Sequence, residues 1–239
     1  YPAYLGTRVA SFYERAGRVR CLGSDEREAT VTVIGAVSPP GGDLSEPVVQ
    51  NTLRTVSVFW SLEASLAYQR HFPAISWLRS YSLYLEQLEP YFSLTAGEGF
   101  LANRLKGMEI LQKEAELQEI VRLIGVDALS LEERLLLETA RSIREDFLHQ
   151  NAFDEVDTYS SLKKQADLLG LILKFHEVAS ERMAEGAEFD EIASDPVREQ
   201  IARAKYVSEN DWEKIRLEIE TATGNSAHPS TAASSKGSN

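Results

Sequence analysis

The sequence predicts an α/β unit followed by an all-helical domain, and three observations carry that expectation. In residues 30–37, Val31 and Val33 alternate with Thr30 and Thr32, and Ile34, Ala36 and Val37 then form a short apolar run. That is the pattern of a strand passing from partial to full burial. Ser38-Pro-Pro-Gly-Gly-Asp43 stops it, because paired prolines and glycines continue neither strand nor helix. From about Leu101 onward the chain turns to long amphipathic stretches with few breakers.

Composition narrows the class. A chain of 239 residues, 43% hydrophobic, is long enough for one large or two ordinary domains. Lys and Arg number 25 against 37 Asp and Glu, a net charge of −12, which argues against a nucleic-acid partner. The lone cysteine, Cys21, forms no internal disulfide and fits a reducing compartment. No apolar run approaches a membrane span and no N-terminal segment reads as a signal peptide. A soluble, cytoplasmic protein is the expectation.

Each element follows from local chemistry. Leu5, Val9 and Phe12 lie at helical spacing, with Gly17 as a stop. Residues 24–28 form a charged turn into the strand. After the Pro-Gly loop, Ser45 reads as an N-cap with Glu46 and Pro47 in the first turn, where a missing N–H costs nothing. Val49, Leu53, Val56 and Trp60 form one stripe of a helix expected to run to about Arg70. Strand, loop and helix make a crossover whose loop lies at the carboxyl end of the strand, where open α/β sheets place ligands.

Phe72-Pro-Ala-Ile75 is extended, since the residue before a proline leaves helical geometry. Residues 80–89 are ambiguous, and Pro90, Gly97 and Gly99 punctuate the boundary. Leu105, Met108, Leu117, Ile120, Val121 and Ile124 supply one face of a helix ending at Gly125. Ser130 and Glu133 form a capping box ahead of Leu136, Ala140, Ile143 and Phe147. A helix is expected over about residues 155–184. Gly186 and Pro196 separate shorter pieces, and residues 208–211 cap a last helix with Trp212, Ile215 and Ile219. Residues 223–239 are small and polar and read as a disordered tail.

The chain offers little catalytic chemistry by itself. It has no Gly-x-x-x-x-Gly-Lys-Ser/Thr phosphate loop and no Gly-x-Gly-x-x-Gly after a strand. His71, His149, His176 and His228 are scattered, with no ligand pair at metal-site spacing. The carboxylate runs are most simply solvated helix faces.

Longer motifs say more. Ala36-Val-Ser-Pro-Pro-Gly-Gly-Asp-Leu-Ser-Glu-Pro47 with Gln50-Asn-Thr-Leu-Arg54 resembles the catalytic A-subunit family of the V/A-type rotary ATPases. Tyr1-Pro-Ala-Tyr-Leu5, Phe12-Tyr-Glu-Arg-Ala-Gly17, Arg70-His-Phe-Pro-Ala-Ile75 and Leu117-Gln-Glu-Ile120 agree. So do Ile143-Arg-Glu-Asp-Phe147, Gln150-Asn-Ala-Phe153 and Ala204-Lys-Tyr-Val-Ser208. The resemblance runs in order from Tyr1 to about Ala222 and covers only the C-terminal part of that family's chain.

It implies the following. Residues 1–95 are the C-terminal part of a RecA-like P-loop nucleotide-binding domain, and residues 96–222 a helical-bundle domain. The phosphate loop, the catalytic Glu and the magnesium-associated Asp lie upstream, so no catalytic or metal residue is expected in this segment, which alone would be inactive. The cofactors are ATP or ADP with Mg2+. Phe72 and Phe153, with Tyr159 as the less direct correspondence, hold the adenine ring, to which flat aromatics suit by stacking. Each of the three is otherwise a plain core aromatic.

The loop of Ser38, Pro39, Pro40, Gly41, Gly42 and Asp43 faces the rotating shaft, supports the phosphate site from behind, or is only a stiff turn. Asp127, Leu129, Ser130, Glu132 and Glu133 correspond to a lever that contacts the central stalk, although a capping box alone explains Ser130 and Glu133. The implied partners are the B subunit, in an alternating A3B3 hexamer, and central-stalk subunits. The complex would sit on the inner face of the cell membrane, touching it only through an ion-translocating sector for H+ or Na+. A non-catalytic B-type subunit and a stand-alone helical interaction module are the alternatives.

Overall fold

The structure is a computed structural model, and it describes residues 1–23 and 26–226. The charged turn expected at residues 24–28 lies partly outside the described residues, and residues 227–239 lie wholly outside them. The chain forms two compact units, residues 1–60 with 80–85, and residues 61–79 with 86 onward.

The first unit opens with helix α1, Leu5–Tyr13, ending as expected before Gly17. Strands β1, Gly17–Arg20, and β2, Glu28–Val31, form an antiparallel hairpin in the register Gly17↔Val31 to Arg20↔Glu28. Arg18 and Glu28 pair across it. The expected strand thus lies largely N-terminal to its predicted span and is exposed on every residue. Beyond Val31 the chain is irregular, and Ile34 is 84% exposed. The reason is pairing. An apolar run becomes a buried strand only inside a sheet, and among the described residues none pairs with residues 32–37. The chain passes so close to α1 here that a Cβ at Gly35 would collide with the Tyr13 hydroxyl.

Helix α2, Pro47–Leu53, starts one residue later than its predicted cap: the Glu46 carboxylate accepts from Val49 N–H at 3.0 Å. Ser45 instead donates its own N–H to Asp43 Oδ1 at 2.9 Å. The helix stops at Leu53 and does not continue to Arg70. Strand β3, Val58–Phe59, pairs antiparallel with β4, Tyr81–Ser82, and the Tyr81 hydroxyl caps Leu53 O at 3.2 Å. A strand pairing distant in sequence therefore overrides the helical stripe through Val56 and Trp60.

The second unit contains α3, Ala64–Tyr68, and a small antiparallel bridge, Leu62↔Ile75. Helix α4, Glu89–Ala96, has Pro90 in its first turn. Helix α5, Phe100–Ile124, ends at Gly125, whose φ of 87° is the left-handed region that favours glycine. Helix α6, Leu131–Ser142, begins with the predicted box: Glu133 N–H donates to Ser130 Oγ at 3.2 Å, and Ser130 N–H to Glu133 Oε2 at 2.8 Å. It runs into a π-helical turn, Ile143–Leu148.

Helix α7, Leu162–Ala184, begins seven residues later than expected, capped by Ser161. Upstream, Asp154 Oδ1 accepts from the N–H groups of Val156 and Asp157, both at 2.9 Å. That local turn competes with helix formation. Helices α8, Phe189–Ala193, α9, Pro196–Ala204, and α10, Trp212–Ser226, complete the unit. Thr223, where the polar tail was expected to start, is fully buried in α10.

The hydrophobic core belongs to this unit and is organised on α7. Leu168, Leu169, Leu171, Ile172, Leu173, Phe175 and Ala179 meet Ile110 and Leu111 of α5, Leu135 and Ala140 of α6, Ile201 of α9, and Trp212 and Ile219 of α10. Each large aliphatic side chain so buried contributes about 1.5–3 kcal/mol.

Candidate functional site

Phe72 follows α3 directly. His71 N–H donates to Leu66 O at 2.9 Å, and Arg70, with a left-handed φ of 60°, turns the chain out of the helix. Phe72 is then fixed on both sides of its backbone. Its N–H donates to His149 Nδ1 at 3.2 Å, and its carbonyl accepts from Gln150 N–H at 2.7 Å. His149 Nδ1 is therefore unprotonated, leaving Nε2 as the ring donor. The His71 ring meets Trp77 edge-on, with ring centres 5.4 Å apart, and lies tilted against His149 at 5.3 Å. Burial above all holds His71 below the ordinary histidine value.

The same pair of bonds starts the loop of residues 149–161. Gln150 Nε2 donates to Asp157 O and Asn151 N–H to Asp157 Oδ2, both at 2.6 Å. Asn151 Oδ1 accepts from Phe153 N–H at 3.0 Å, and Val156 O from Tyr159 N–H at 3.3 Å. The backbone donors Asp157 and Val156 hold the Asp154 carboxyl below its usual range. The backbone is tied down, yet the rings stand in water. Phe153 is 98% exposed, Tyr159 84% and Phe72 49%.

None of the three sequence-predicted aromatics is thus a core side chain. The hydrogen bonds join the segment carrying Phe72 to the segment carrying Phe153. Flat rings on a hydrogen-bonded backbone suit a planar ligand, and of the three only Tyr159 carries a polar group, its phenol.

The other predicted residues lie elsewhere. Ser38 to Asp43 form an exposed turn in the first unit. Pro39 O accepts from Gly42 N–H at 3.1 Å, and Gly41 and Gly42 hold φ of 64° and 75°. Those backbone angles account for both glycines. In the second unit, Asp127 is exposed, with Arg134 Nη2 on its carbonyl at 3.0 Å. Glu132 faces solvent too, whereas Leu129 is buried and Ser130 and Glu133 are occupied with each other. Leu123, Ile124 and Leu131 are apolar side chains exposed around the same α5–α6 turn; Ile124 was expected on the apolar face of its helix, and the other two were not singled out. Leu123 stands off the buried stripe of α5, whereas Leu131 lies one turn ahead of the buried Leu135 and is exposed because α6 begins there.

Among the described residues no three His, Cys, Asp or Glu side chains gather as metal ligands, and no helix is long and apolar enough to cross a membrane.

Residues 1–82 match the nucleotide-binding domain of the ATP synthase alpha/beta family, and residues 90–193 match the C-terminal domain of V and A type ATP synthase. The chain is 60% identical over 225 residues to the V-type ATP synthase alpha chain of Thermoanaerobacter pseudethanolicus, covering 93% of this chain and 38% of that protein. It is 58% identical over 225 residues to that of Clostridioides difficile, covering 94% and 38%. It is 60% identical over 220 residues to that of Acetivibrio thermocellus, covering 92% and 37%. The chain thus spans well under half the length of these curated relatives. Among solved structures it is similar in fold to "a unique ATP synthase subunit NeqB from Nanoarcheaum equitans", with a TM-score of 0.56 and 24% identity over 74% of this chain and 40% of that one.

Proposed function

The chain belongs to the V/A-type ATP synthase alpha-chain family, and from that membership we propose that it is the C-terminal part of the catalytic subunit of a rotary ATPase. In this proposal residues 1–95 complete a RecA-like P-loop nucleotide-binding domain, and residues 96–222 are the helical domain that closes on it. The parent enzyme couples ATP hydrolysis, or its reverse, to ion transport across a membrane. It does so in an A3B3 ring with B subunits, on the inner face of the cell membrane.

Phosphoryl transfer needs a phosphate cradle and a metal to spread the charge of the transition state. This chain has neither a phosphate loop nor a cluster of metal ligands among its described residues, so its residues do not fit the magnesium that accompanies the nucleotide. What the chain supplies is adenine binding. Phe72 and Phe153 stack on the base, with Tyr159 beside them. The observation that carries this assignment is the pair of backbone bonds from Phe72 to His149 and Gln150, which makes one body of two ring-bearing segments far apart in sequence. Full exposure of Phe153 supports it as well. A ring left out of the core on a tied loop gives up the stabilisation of burial.

Coupling to rotation runs through the α5–α6 turn, where Asp127 and Glu132 present charge and Leu123, Ile124 and Leu131 present apolar contact to the central stalk. The turn of Ser38 to Asp43 lines the shaft or supports the phosphate site from behind. Its glycines are already accounted for by their backbone angles, so this role rests on the charge and exposure of Asp43.

The test is steady-state ATP hydrolysis by the full-length subunit assembled with its B partner. Phe72→Ala and Phe153→Ala are expected to raise KM for ATP about tenfold with kcat little changed, since base stacking is made equally in ground and transition states. Unchanged kinetics in both variants would remove the adenine assignment.

A further inference from the structure

We propose that the connector between α9 and α10, residues 205–211, is a two-ended clamp that sets the geometry of the 149–161 loop, with Lys205 and Glu209 as positioning residues for Phe153. The significance for catalysis rests on the adenine assignment above; the clamp itself does not.

Both ends of the loop are held by this one short segment. At the entry, Lys205 Nζ donates to Glu145 O at 2.9 Å and to His149 O at 3.3 Å. These carbonyls lie at the end of the π-helical turn, where acceptors lack partners along the helix and a cation is favoured. At the exit, the Glu209 carboxylate takes both donors of Ser161, its N–H on Oε1 and its hydroxyl on Oε2, each at 2.9 Å. Ser161 is the residue that caps α7.

The connector is itself pinned from below. Lys164 Nζ donates to Lys205 O at 2.8 Å and Val207 O at 2.6 Å and sits 5.5 Å from the Trp212 ring centre. Lys164 is 1% exposed and Lys205 is also buried. Among the described residues no carboxylate forms a salt bridge with either ammonium.

Burying an ammonium is costly unless its donors are satisfied, and here the donors are spent on main-chain carbonyls that flank a loop. A loop that only joined two helices would need neither buried cation. His149 adds the link to Phe72, because the residue whose carbonyl Lys205 holds also accepts the Phe72 N–H. Lys205 therefore fixes the point from which both ring-bearing segments hang.

The experiment measures amide hydrogen exchange and ATP kinetics on the full-length subunit in its assembled complex. The variants are Lys205→Met, Lys205→Arg, Glu209→Ala and Phe153→Ala. Glu209→Ala alters an exposed side chain and so keeps the test valid should Lys205→Met fold poorly. In Lys205→Met and Glu209→Ala, the amides of Asn151, Phe153, Val156 and Asp157 are expected to exchange about tenfold faster while those of α7 keep their rates. KM for ATP should rise about tenfold at unchanged kcat, and Lys205→Arg, which keeps a buried cationic donor, should restore both.

Loop exchange unchanged in both variants overturns the clamp, as does exchange that rises equally throughout α7. Faster loop exchange with KM unmoved, where Phe153→Ala does raise KM, overturns the positioning role. Faster loop exchange with KM unmoved in Phe153→Ala as well leaves the clamp standing and removes the adenine assignment.

Discussion

His176 shows how one side chain carries pH into the fold. It lies on α7, with Nδ1 2.8 Å from Thr139 Oγ1 of α6. The Thr139 hydroxyl already donates to Leu135 O, so it accepts from the histidine, which is neutral with its proton on Nδ1. Burial holds its pKa below the ordinary 6.5. Below that pH the unfolded chain takes a proton that the folded chain refuses. Stability is therefore fully present above about pH 6.5 and falls as pH drops toward the folded value, by at most about 1.4 kcal/mol per pH unit for this group. His71 has the same sign and the half-buried Asp146 carboxyl, raised by desolvation, the opposite one, so wild type and variant must be compared at each pH. Urea unfolding at pH 7.5 and pH 5 is expected to show a smaller loss for His176→Gln than for the wild type; equal losses would deny His176 this part. Such roles were invisible in the sequence. A lysine or histidine between apolar residues reads as solvated surface, and Lys164 and Lys205 declare themselves only when the carbonyls they reach, some 40 or more residues away, are in place.

Helices in the second unit were legible because their ends are written locally. Ser130 with Glu133, Gly125 and Pro196 each mark a boundary by chemistry within a few residues. Strands were not, because β2 and β3 exist through partners elsewhere in the chain, and the apolar run after Val31 has none among the described residues. The candidate site was half legible. Its aromatics stood out through motif resemblance, whereas the loop fold around Asp154 and Asp157 did not, and took the place of the expected helix start. One element also holds an unused margin of stability. Gly107 is buried midway along α5, where a glycine costs the helix about 1 kcal/mol relative to alanine. An added Cβ would meet Leu169 Cδ1 at 3.6 Å and Ile143 Cδ1 at 4.0 Å, ordinary contact distances. Gly107→Ala is therefore expected to stabilise the helical unit by about 0.5–1 kcal/mol, read as a higher denaturant midpoint at unchanged m-value. A lower midpoint would mean that α5 and α7 need a closer approach than these distances require.

Across the molecule, burial is divided unequally. The core cluster lies wholly within the second unit, while the first buries little beyond Val49 and Thr52 among its described residues. Local opening follows buried contact. In the isolated chain, amides of residues 28–37 are expected to exchange at least about a thousandfold faster than those of residues 168–179; strong protection at residues 31–37 would contradict this. Apolar side chains such as Ile34, Trp60, Leu62 and Leu94 stand in water across both units, and under the proposed assembly partner subunits would cover part of that surface. The tied loop of residues 149–161 also has a kinetic consequence. With its backbone hydrogen-bonded in this way, the loop would take up a base, in the proposed assignment, with little search through conformations. Under the proposed adenine assignment, the encounter rate at Phe153 would be governed by diffusion, and differences in affinity among ligands with similar flat bases would lie in how long each one stays.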